Sequence, residues 1–311
     1  MCVVSNRKTP KIGENVMILS KFLDPKNDLA FKRIFGTERN KDILIHFLND
    51  IFARTTNPIE DVTFLKTSQN PEIAALRNTI VDVMCRDTNG RKLIIEMQVG
   101  REPGFAKRAQ YYAARAYIDQ RDQGVDFKDL DEIIFLGITS FALFPQKAAY
   151  LSYHQMLDIE THERDLKDFS YAFLELPKFK KKIKQLTTVT EKWAYFFKNA
   201  KKTSEQELES IIGSDQIIQK AFDELNRYSW TVEELRYYDS VDMKQSADKA
   251  ILEGAYEEGE AAGIAKGKAE GKAEGEREKA YAIARQLLDV LDLETIAKKT
   301  GLSIEELSKL T

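Results

Sequence analysis

The chain has 311 residues, of which 43% are hydrophobic and 31% are charged, and its formal net charge is −3. This composition is typical of a globular protein with a packed core, and the charge excludes binding of nucleic acid through a globally basic surface. No run of 18 apolar residues is present, so no membrane span is expected, and the two cysteines predict neither a disulfide framework nor a zinc site. We expect a cytoplasmic protein in which residues 1–19, lacking the apolar core of a signal peptide, form a loose leader.

Residues 20–180 are predicted to form one domain, because they combine helical and strand patterns. Apolar residues at helical spacing predict two helices before residue 52. Residues 79–99 alternate with period two, residues 104–123 have a helical pattern, and buried strands are expected at 132–140 and 171–176. Strands on both sides of a helix indicate a mixed α/β core.

The sequence beyond residue 180 predicts three further segments. Residues 181–248 are predicted to be a helical extension in which Trp193 and its aromatic neighbours supply a small core. Residues 249–279 are rich in Gly, Ala, Glu and Lys; they predict either a helix that self-associates through a stripe of small residues or a flexible linker. Residues 280–311 resemble a helix-turn-helix unit whose second helix starts with a capping box. That helix lacks arginine, so we expect it to pack against a neighbouring chain in a homo-oligomer rather than to read DNA bases.

The segment 79–99 predicts a β-hairpin, because Asn89-Gly90 is a strong turn signal. A three-residue loop pairs positions whose numbers sum to 178, and a two-residue turn pairs positions that sum to 179. The first register creates one apolar face, made of Val81, Val83, Cys85, Leu93, Ile95 and Met97. The second would place Asp82 opposite Met97 and mix charged with apolar residues on both faces, so we expect the first.

The favoured register places Asp82 opposite Glu96, with Gln98 next along the same strand. Two carboxylates whose Cβ atoms are about 4.5–5.5 Å apart repel each other unless a cation lies between them or one is protonated. Mg²⁺ prefers carboxylate oxygens, waters and substrate phosphates, and it can polarise a phosphoryl oxygen. Gln98 has an amide oxygen and an amide donor that can orient a water or a phosphate, but no charge. The pattern predicts a metal site; the ordinary alternative is an acidic pair on a solvent-facing strand.

Motifs along the chain resemble the PD-(D/E)XK nuclease family transposases, also called the Rpn family of recombination-promoting nucleases. They are Asn27-Asp28-Leu-Ala-Phe31-Lys32-Arg-Ile-Phe35-Gly36, Val81-Asp82-Val83, Ile95-Glu96-Met97-Gln98 and Arg108-x-x-Tyr111-Tyr112. The resemblance covers roughly residues 20–240. It implies an α/β fold with a restriction-endonuclease-like αβββαβ core and a helical C-terminal extension, and it implies Mg²⁺-dependent DNA cleavage.

The same resemblance implies roles for individual residues. Asp82 and Glu96 would be metal ligands, Gln98 would occupy the third catalytic position, and Asp28 would be a further catalytic acid from the first helix. An alternative role for Asp28 is to favour the helix dipole and pair with Lys32 at i,i+4. Many nucleases of the wider superfamily have lysine where this chain has Gln98, so the missing charge would come from elsewhere, with Lys92, Lys107 or Arg108 as candidates.

Two groups of residues are predicted to contact DNA phosphates. Lys107, Arg108 and Tyr112 lie on the helix after the hairpin, although Tyr112 would equally suit a position in the core. Lys180, Lys181 and Lys182 belong to a run of five lysines, which can neutralise phosphates or can simply be a solvated helix start.

The sequence therefore favours a metal-dependent DNA endonuclease that uses Mg²⁺. The competing interpretation is a catalytically weak or inactive protein of the same fold that binds DNA or assembles with partners. No sequence feature selects DNA over RNA.

Overall fold

A computed structural model of the protein describes residues 20–53, 58–65 and 81–310. The predicted leader, residues 1–19, and the first two residues of the predicted hairpin lie outside the described residues. By its internal contacts the chain divides into two compact units, 1–249 and 250–311.

The first unit contains a mixed α/β core, as the sequence predicts. Its elements are α1 (Asp28–Phe35), α2 (Lys41–Ile51), β1 (Val62–Phe64), β2 (Val83–Asp87), β3 (Lys92–Gln98), α3 (Phe105–Asp122), β4 (Ile133–Thr139), β5 (Leu151–Gln155), β6 (Phe169–Glu175), α4 (Val189–Asn199), α5 (Glu205–Ile212), α6 (Gln216–Glu224) and the start of α7 (Val232–Leu287). The expected αβββαβ order is present as α1, β1 to β3, α3 and β4. The sequence did not indicate β1 or β5, since strands of three and five residues show little periodicity.

The six strands form one sheet in the order β1-β2-β3-β4-β6-β5. The pairs β1–β2, β2–β3 and β5–β6 are antiparallel, whereas β3–β4 and β4–β6 are parallel. The parallel register aligns Gln98 with Thr139 and Thr139 with Glu175. The carboxyl ends of β3, β4 and β6 therefore lie level at one edge of the sheet.

The predicted hairpin register is confirmed. Val83 pairs with Ile95 and Cys85 with Leu93, so the paired numbers sum to 178. The Asp87 N–H donates to the Arg91 carbonyl at 3.0 Å and closes a three-residue loop. Gly90 has a φ of +85° in this loop, a conformation that glycine adopts without steric cost.

The prediction that Val81 lies on the same face of the sheet as Val83 is wrong. Val83, Cys85, Leu93 and Ile95 belong to a large core that also contains α1 and α2, whereas Val81 packs in a second core with Ile94 and α3. The strand begins only at Val83, so the alternation of faces does not extend to Val81. The sheet is covered on both faces, by α1 and α2 on one side and by α3 on the other.

The predicted helical extension, residues 181–248, does not build a separate core. Trp193, Phe196 and Phe197 of α4 join the large core, where the Trp193 ring lies 5.3 Å from the Phe47 ring and the Phe197 ring lies 5.5 Å from the Phe35 ring. Helical periodicity identified these aromatic residues as buried, but it cannot say which element they pack against.

The second unit contains the remainder of α7, then α8 (Leu293–Thr300) and α9 (Ile304–Ser308). A small core of its own includes Ala284, Ile296 and Leu307. Ser303 and Glu306 form the predicted capping box at the start of α9. The glycine-rich segment is helical, and a Cβ added at its glycines would meet no atom within 4 Å among the described residues. Self-association through this segment stays a prediction.

Among the helices of the described ranges, none combines the length and apolar character that a membrane crossing requires.

Candidate active site

The hairpin brings Asp82 and Glu96 together at one end of the sheet. Glu96 lies near the carboxyl end of β3. Asp82 is the residue directly before β2, the strand that pairs with β3. The Met97 N–H donates to the Asp82 Oδ2 atom at 2.7 Å, which fixes the Asp82 carboxylate against β3. Glu96 is 6% exposed, so water reaches this carboxylate poorly.

Helix α1 adds a second acid and a lysine to this end of the sheet. The helix starts after Asn27, whose side chain accepts from the Leu29 N–H. The Lys32 Nζ atom lies 2.8 Å from Asp28 Oδ1, in the i,i+4 pair that the sequence predicts, and 3.9 Å from Asp82 Oδ1. Burial lowers the pKa of Lys32, but Asp28, Asp82 and Glu96 raise it more strongly, so the net shift is upward.

The two hairpin carboxyls are poorly matched to their surroundings in the absence of a cation. Burial raises the pKa of Asp82, and the nearby Asp28 adds to that rise. Burial likewise raises the pKa of Glu96, and the charge of Asp82 adds to it. Arg108 and Lys32 oppose the rise at Glu96 without cancelling it. The pair therefore retains protons at pH values where isolated carboxyls are ionised.

Helix α3 supplies an arginine from the opposite face of the sheet. Gly104, with a φ of +88°, turns the chain from the strand into this helix. One terminal nitrogen of Arg108 lies 3.2 Å from Glu96 Oε1 and 2.5 Å from Gln98 Oε1, and the other pairs with Glu102. The Gln98 Nε2 atom donates to the Gly100 carbonyl at 2.9 Å. Gln98 is thus held by the protein through both ends of its amide.

The other residues expected to carry charge or to contact DNA occupy different surroundings. Tyr112 is 9% exposed and packs beneath Arg108, whose guanidinium carbon lies 5.7 Å from the tyrosine ring centre. Lys107 is exposed on α3. The prediction that Lys92 could supply charge to this site is wrong. Lys92 begins β3 and lies four residues, about 13 Å of extended strand, before Glu96. Strand spacing already placed Lys92 at the far end of the hairpin.

The lysine run follows β6, whose carboxyl end is level with Gln98. Lys178 is enclosed, at 2.8 Å from Glu175 and 2.7 Å from the Phe144 carbonyl. Lys181 is exposed but pairs with the buried Glu191, and Lys180 and Lys182 are exposed as well. The structure thus divides the run into lysines held by buried acids and lysines that face solvent.

The donor set fits a hard cation held partly by the protein. The Glu96 Oε2 atom is buried and has no hydrogen-bond partner among the described residues. No group of three His, Cys, Asp or Glu side chains in the described ranges is arranged to hold a metal ion. Mg²⁺ is commonly bound through one or two carboxylates, with waters and substrate phosphates completing its shell. Asp82 and Glu96 match that pattern.

Lys32 is the residue near these carboxylates that sequence reasoning missed. Its spacing from Asp28 indicated only an ion pair along α1. The available signal was the position of Lys32 within the Asn27-to-Gly36 motif, since the motif joins an acid and a cation on one helical face.

Comparisons with known proteins give one match. No curated protein and no solved structure has significant similarity to the chain. The family model described as PD-(D/E)XK nuclease family transposase matches residues 25–255, a range that contains the whole sheet, α1 and α3. The chain therefore belongs to the PD-(D/E)XK nuclease family transposases.

Proposed function

We propose that this protein is a metal-dependent DNA endonuclease that uses Mg²⁺ and hydrolyses phosphodiester bonds at the site formed by Asp82 and Glu96. The observation that carries the proposal is the buried, unpartnered Glu96 Oε2 atom beside Asp82, a second carboxylate that is partly buried. A buried acceptor without a donor is costly, and a divalent cation removes that cost.

Asp82 and Glu96 would hold the cation. When bound, Mg²⁺ polarises a phosphoryl oxygen and lowers the pKa of a coordinated water. The Met97 N–H keeps the Asp82 carboxylate oriented toward β3, so this proposed ligand would need little reorientation to bind the metal.

Lys32 would place a positive charge beside the reacting phosphate. Its ammonium group lies between Asp28 and Asp82, and the acids around it keep it protonated. Asp28 would act through Lys32 by holding its side chain in place, which gives the first-helix acid a positioning role.

The exposed lysines after β6 would guide the DNA backbone toward the site. Lys180 and Lys182 follow β6 at the edge of the sheet where β3 also ends, and in the described part of the chain neither pairs with a buried acid as Lys178 does. Such lysines neutralise phosphates without reading sequence. Together with exposed Lys107 they supply the local basic surface that a protein of net charge −3 needs.

The test is nicking of supercoiled plasmid DNA in Mg²⁺ by the wild type and by Asp82→Asn, Glu96→Gln and Lys32→Met. We expect each carboxylate variant to lose activity by about 100-fold or more, because the metal supplies several kcal/mol of charge stabilisation. For Lys32→Met a loss of about 10- to 100-fold is expected. Equal nicking by the wild type and Asp82→Asn would overturn the proposal.

Asp87→Asn is the matched control. Asp87 is also a buried carboxylate of this hairpin, but it pairs with Arg91 at the turn, at the opposite end from Glu96. This variant loses stability through a weakened ion pair, and we expect it to retain nicking at temperatures where it is folded.

The hydrogen bonds of Gln98 and its lack of charge favour a second function. Both ends of its amide are engaged within the protein, and it brings no charge to the family's third catalytic position. A protein with this site could bind DNA or assemble with partners while cleaving weakly or not at all. Wild-type protein that binds a DNA duplex tightly but never nicks plasmid in Mg²⁺ or Mn²⁺ would support this function over the first.

A further inference from the structure

We propose that Gln98 is a positioning residue that holds Arg108 beside Glu96, and that Arg108 supplies the positive charge which a lysine at position 98 would otherwise bring to the substrate phosphate. This inference rests on the proposed function, since it names a second positively charged side chain, besides Lys32, at the same site.

The Gln98 amide is fixed in one orientation by its two hydrogen-bond partners. Its oxygen faces the Arg108 guanidinium at 2.5 Å, and its nitrogen faces the Gly100 carbonyl at 2.9 Å. Rotating the amide by 180° would set donor against donor and acceptor against acceptor, so the two neighbours fix one orientation. Gln98 therefore presents an acceptor to Arg108 and has little freedom to contact substrate itself.

Arg108 is held in place by several contacts. Its guanidinium reaches Glu96, Gln98 and Glu102, and it lies 5.1 Å from the Phe105 ring centre and 5.7 Å from that of Tyr112. An arginine fixed by two acids, one amide and two rings loses little further freedom when it binds an anion.

Two buried polar atoms of Arg108 and Glu96 remain without a hydrogen-bond partner among the described residues. The Arg108 Nε atom is buried and, within the described ranges, has no acceptor, just as Glu96 Oε2 has no donor. The site thus offers one unsatisfied donor and one unsatisfied acceptor on residues that contact each other. A cation bound to Glu96 and a phosphate oxygen bound to Arg108 would satisfy both, which is what a metal and its phosphodiester substrate provide.

A lysine at position 98 would be incompatible with Arg108 in its present position. A lysine at position 98 would place its ammonium group against the Arg108 guanidinium, and like charges at that distance repel. Glutamine at 98 and arginine at 108 therefore form a matched pair, and a change at one position calls for a change at the other.

A charge exchange tests the pair: wild type, Gln98→Lys, Arg108→Gln and the double variant Gln98→Lys/Arg108→Gln are compared in plasmid nicking. We expect each single variant to lose about 100-fold in kcat with a smaller change in KM, because the charge acts mainly in the transition state. The double variant regains one cation beside Glu96, and we expect it to exceed both single variants by about tenfold or more. Arg121→Gln, at the far end of the same helix, is the control and keeps wild-type rates.

Two further readouts do not depend on cleavage. Binding of a fluorescein-labelled DNA duplex in EDTA should weaken about tenfold in Arg108→Gln and recover in the double variant. Thermal unfolding of Gln98→Ala, Arg108→Met and their double variant should give non-additive shifts in Tm, because residues that share a hydrogen bond are coupled.

The outcomes separate the two proposals. A wild type that binds DNA but never nicks it refutes the endonuclease, and binding by the exchanged pair then decides the role of Arg108. Additive Tm shifts, or a double variant no better than the weaker single variant in nicking and in binding, overturn the inference.

Discussion

At the scale of single residues, the carboxyl groups of Asp82 and Glu96 destabilise the folded protein when no cation is bound. Glu96 is buried and Asp82 is partly buried, and burial raises the pKa of both. Sites that bind or catalyse commonly carry such a cost, because the groups they need are unfavourable in an apolar setting. Arg108 and Lys32 reduce the cost without removing it.

A pH-dependent prediction follows for Glu96→Gln, measured as Tm in EDTA. A raised pKa in the folded state means that the folded protein binds more protons than the unfolded chain, so stability falls as the pH rises from about 5 to about 8.5. The neutral glutamine avoids this loss. We expect Glu96→Gln to unfold at a higher temperature than the wild type near pH 8.5, with a smaller difference near pH 5.

Addition of Mg²⁺ at the higher pH completes that measurement. It should raise the Tm of the wild type and leave Glu96→Gln nearly unchanged, because only the wild type keeps both ligands. A wild type more stable than Glu96→Gln at high pH in EDTA would contradict the cost assigned to Glu96.

At the scale of elements, the site depends on how closely α3 approaches the sheet. Gly137 of β4 is paired with Glu96, and a Cβ atom there would lie 2.9 Å from Phe173 and 3.2 Å from Phe105. Phe105 begins α3 and Arg108 follows one turn later. Because Gly137 has no side chain, the first turn of α3 can pack close to the sheet beside the strand that carries Glu96.

We expect Gly137→Ala to destabilise the fold by about 1–3 kcal/mol, since the added methyl overfills a packed region. It should also reduce nicking at temperatures where the variant remains folded, because Phe105 and with it Arg108 must shift. Denaturant unfolding and plasmid nicking measure the two effects.

The matched control is Gly267→Ala, where the added methyl meets no atom within 4 Å among the described residues. This change in an exposed helix should stabilise α7 by about 0.5–1 kcal/mol and leave nicking unchanged. Equal behaviour of the two variants would show that contact with Phe105 does not matter.

At the scale of the whole molecule, acidic and basic groups nearly balance, so the proposed DNA binding would have to come from local charge. The net charge is −3, yet exposed lysines follow β6 at the edge of the sheet where β3 also ends. Two lysines of that run are already paired with Glu175 and Glu191. A count of lysines in the sequence therefore overstates the charge that the run offers to a phosphate.

Replacement of Lys180, Lys182 and Lys184 by alanine should weaken DNA binding and flatten its dependence on salt. The slope of log K against log salt concentration should fall by about one for each lysine that contacts a phosphate. Fluorescence anisotropy across a salt series measures the slope. Alanine at Lys266, Lys268 and Lys272, exposed lysines of α7, gives the same change in net charge as a control. If both triple variants change the slope equally, the run has no special role.

Much of the hairpin could be predicted from sequence, because strand alternation and turn chemistry are local properties. Period-two alternation and Asn89-Gly90 select the register in which Val83 meets Ile95, and that register brings Asp82 to the end of β3. Val81 departs from this pattern, because alternation holds only while the chain is a strand, and the strand begins at Val83.

The sequence by itself determined the α/β class, the helix after the hairpin, the capping of α9 and the two hairpin carboxylates, since each depends on residues close together along the chain. Only the tertiary structure decided that Lys32 approaches Asp82, that Gln98 holds Arg108, and that α4 packs in the same core as α1. These contacts join elements far apart in sequence, and their geometry depends on which faces of the sheet the helices cover. The hairpin places two acids at the end of the sheet, and the packing of α1 and α3 decides which cations reach them.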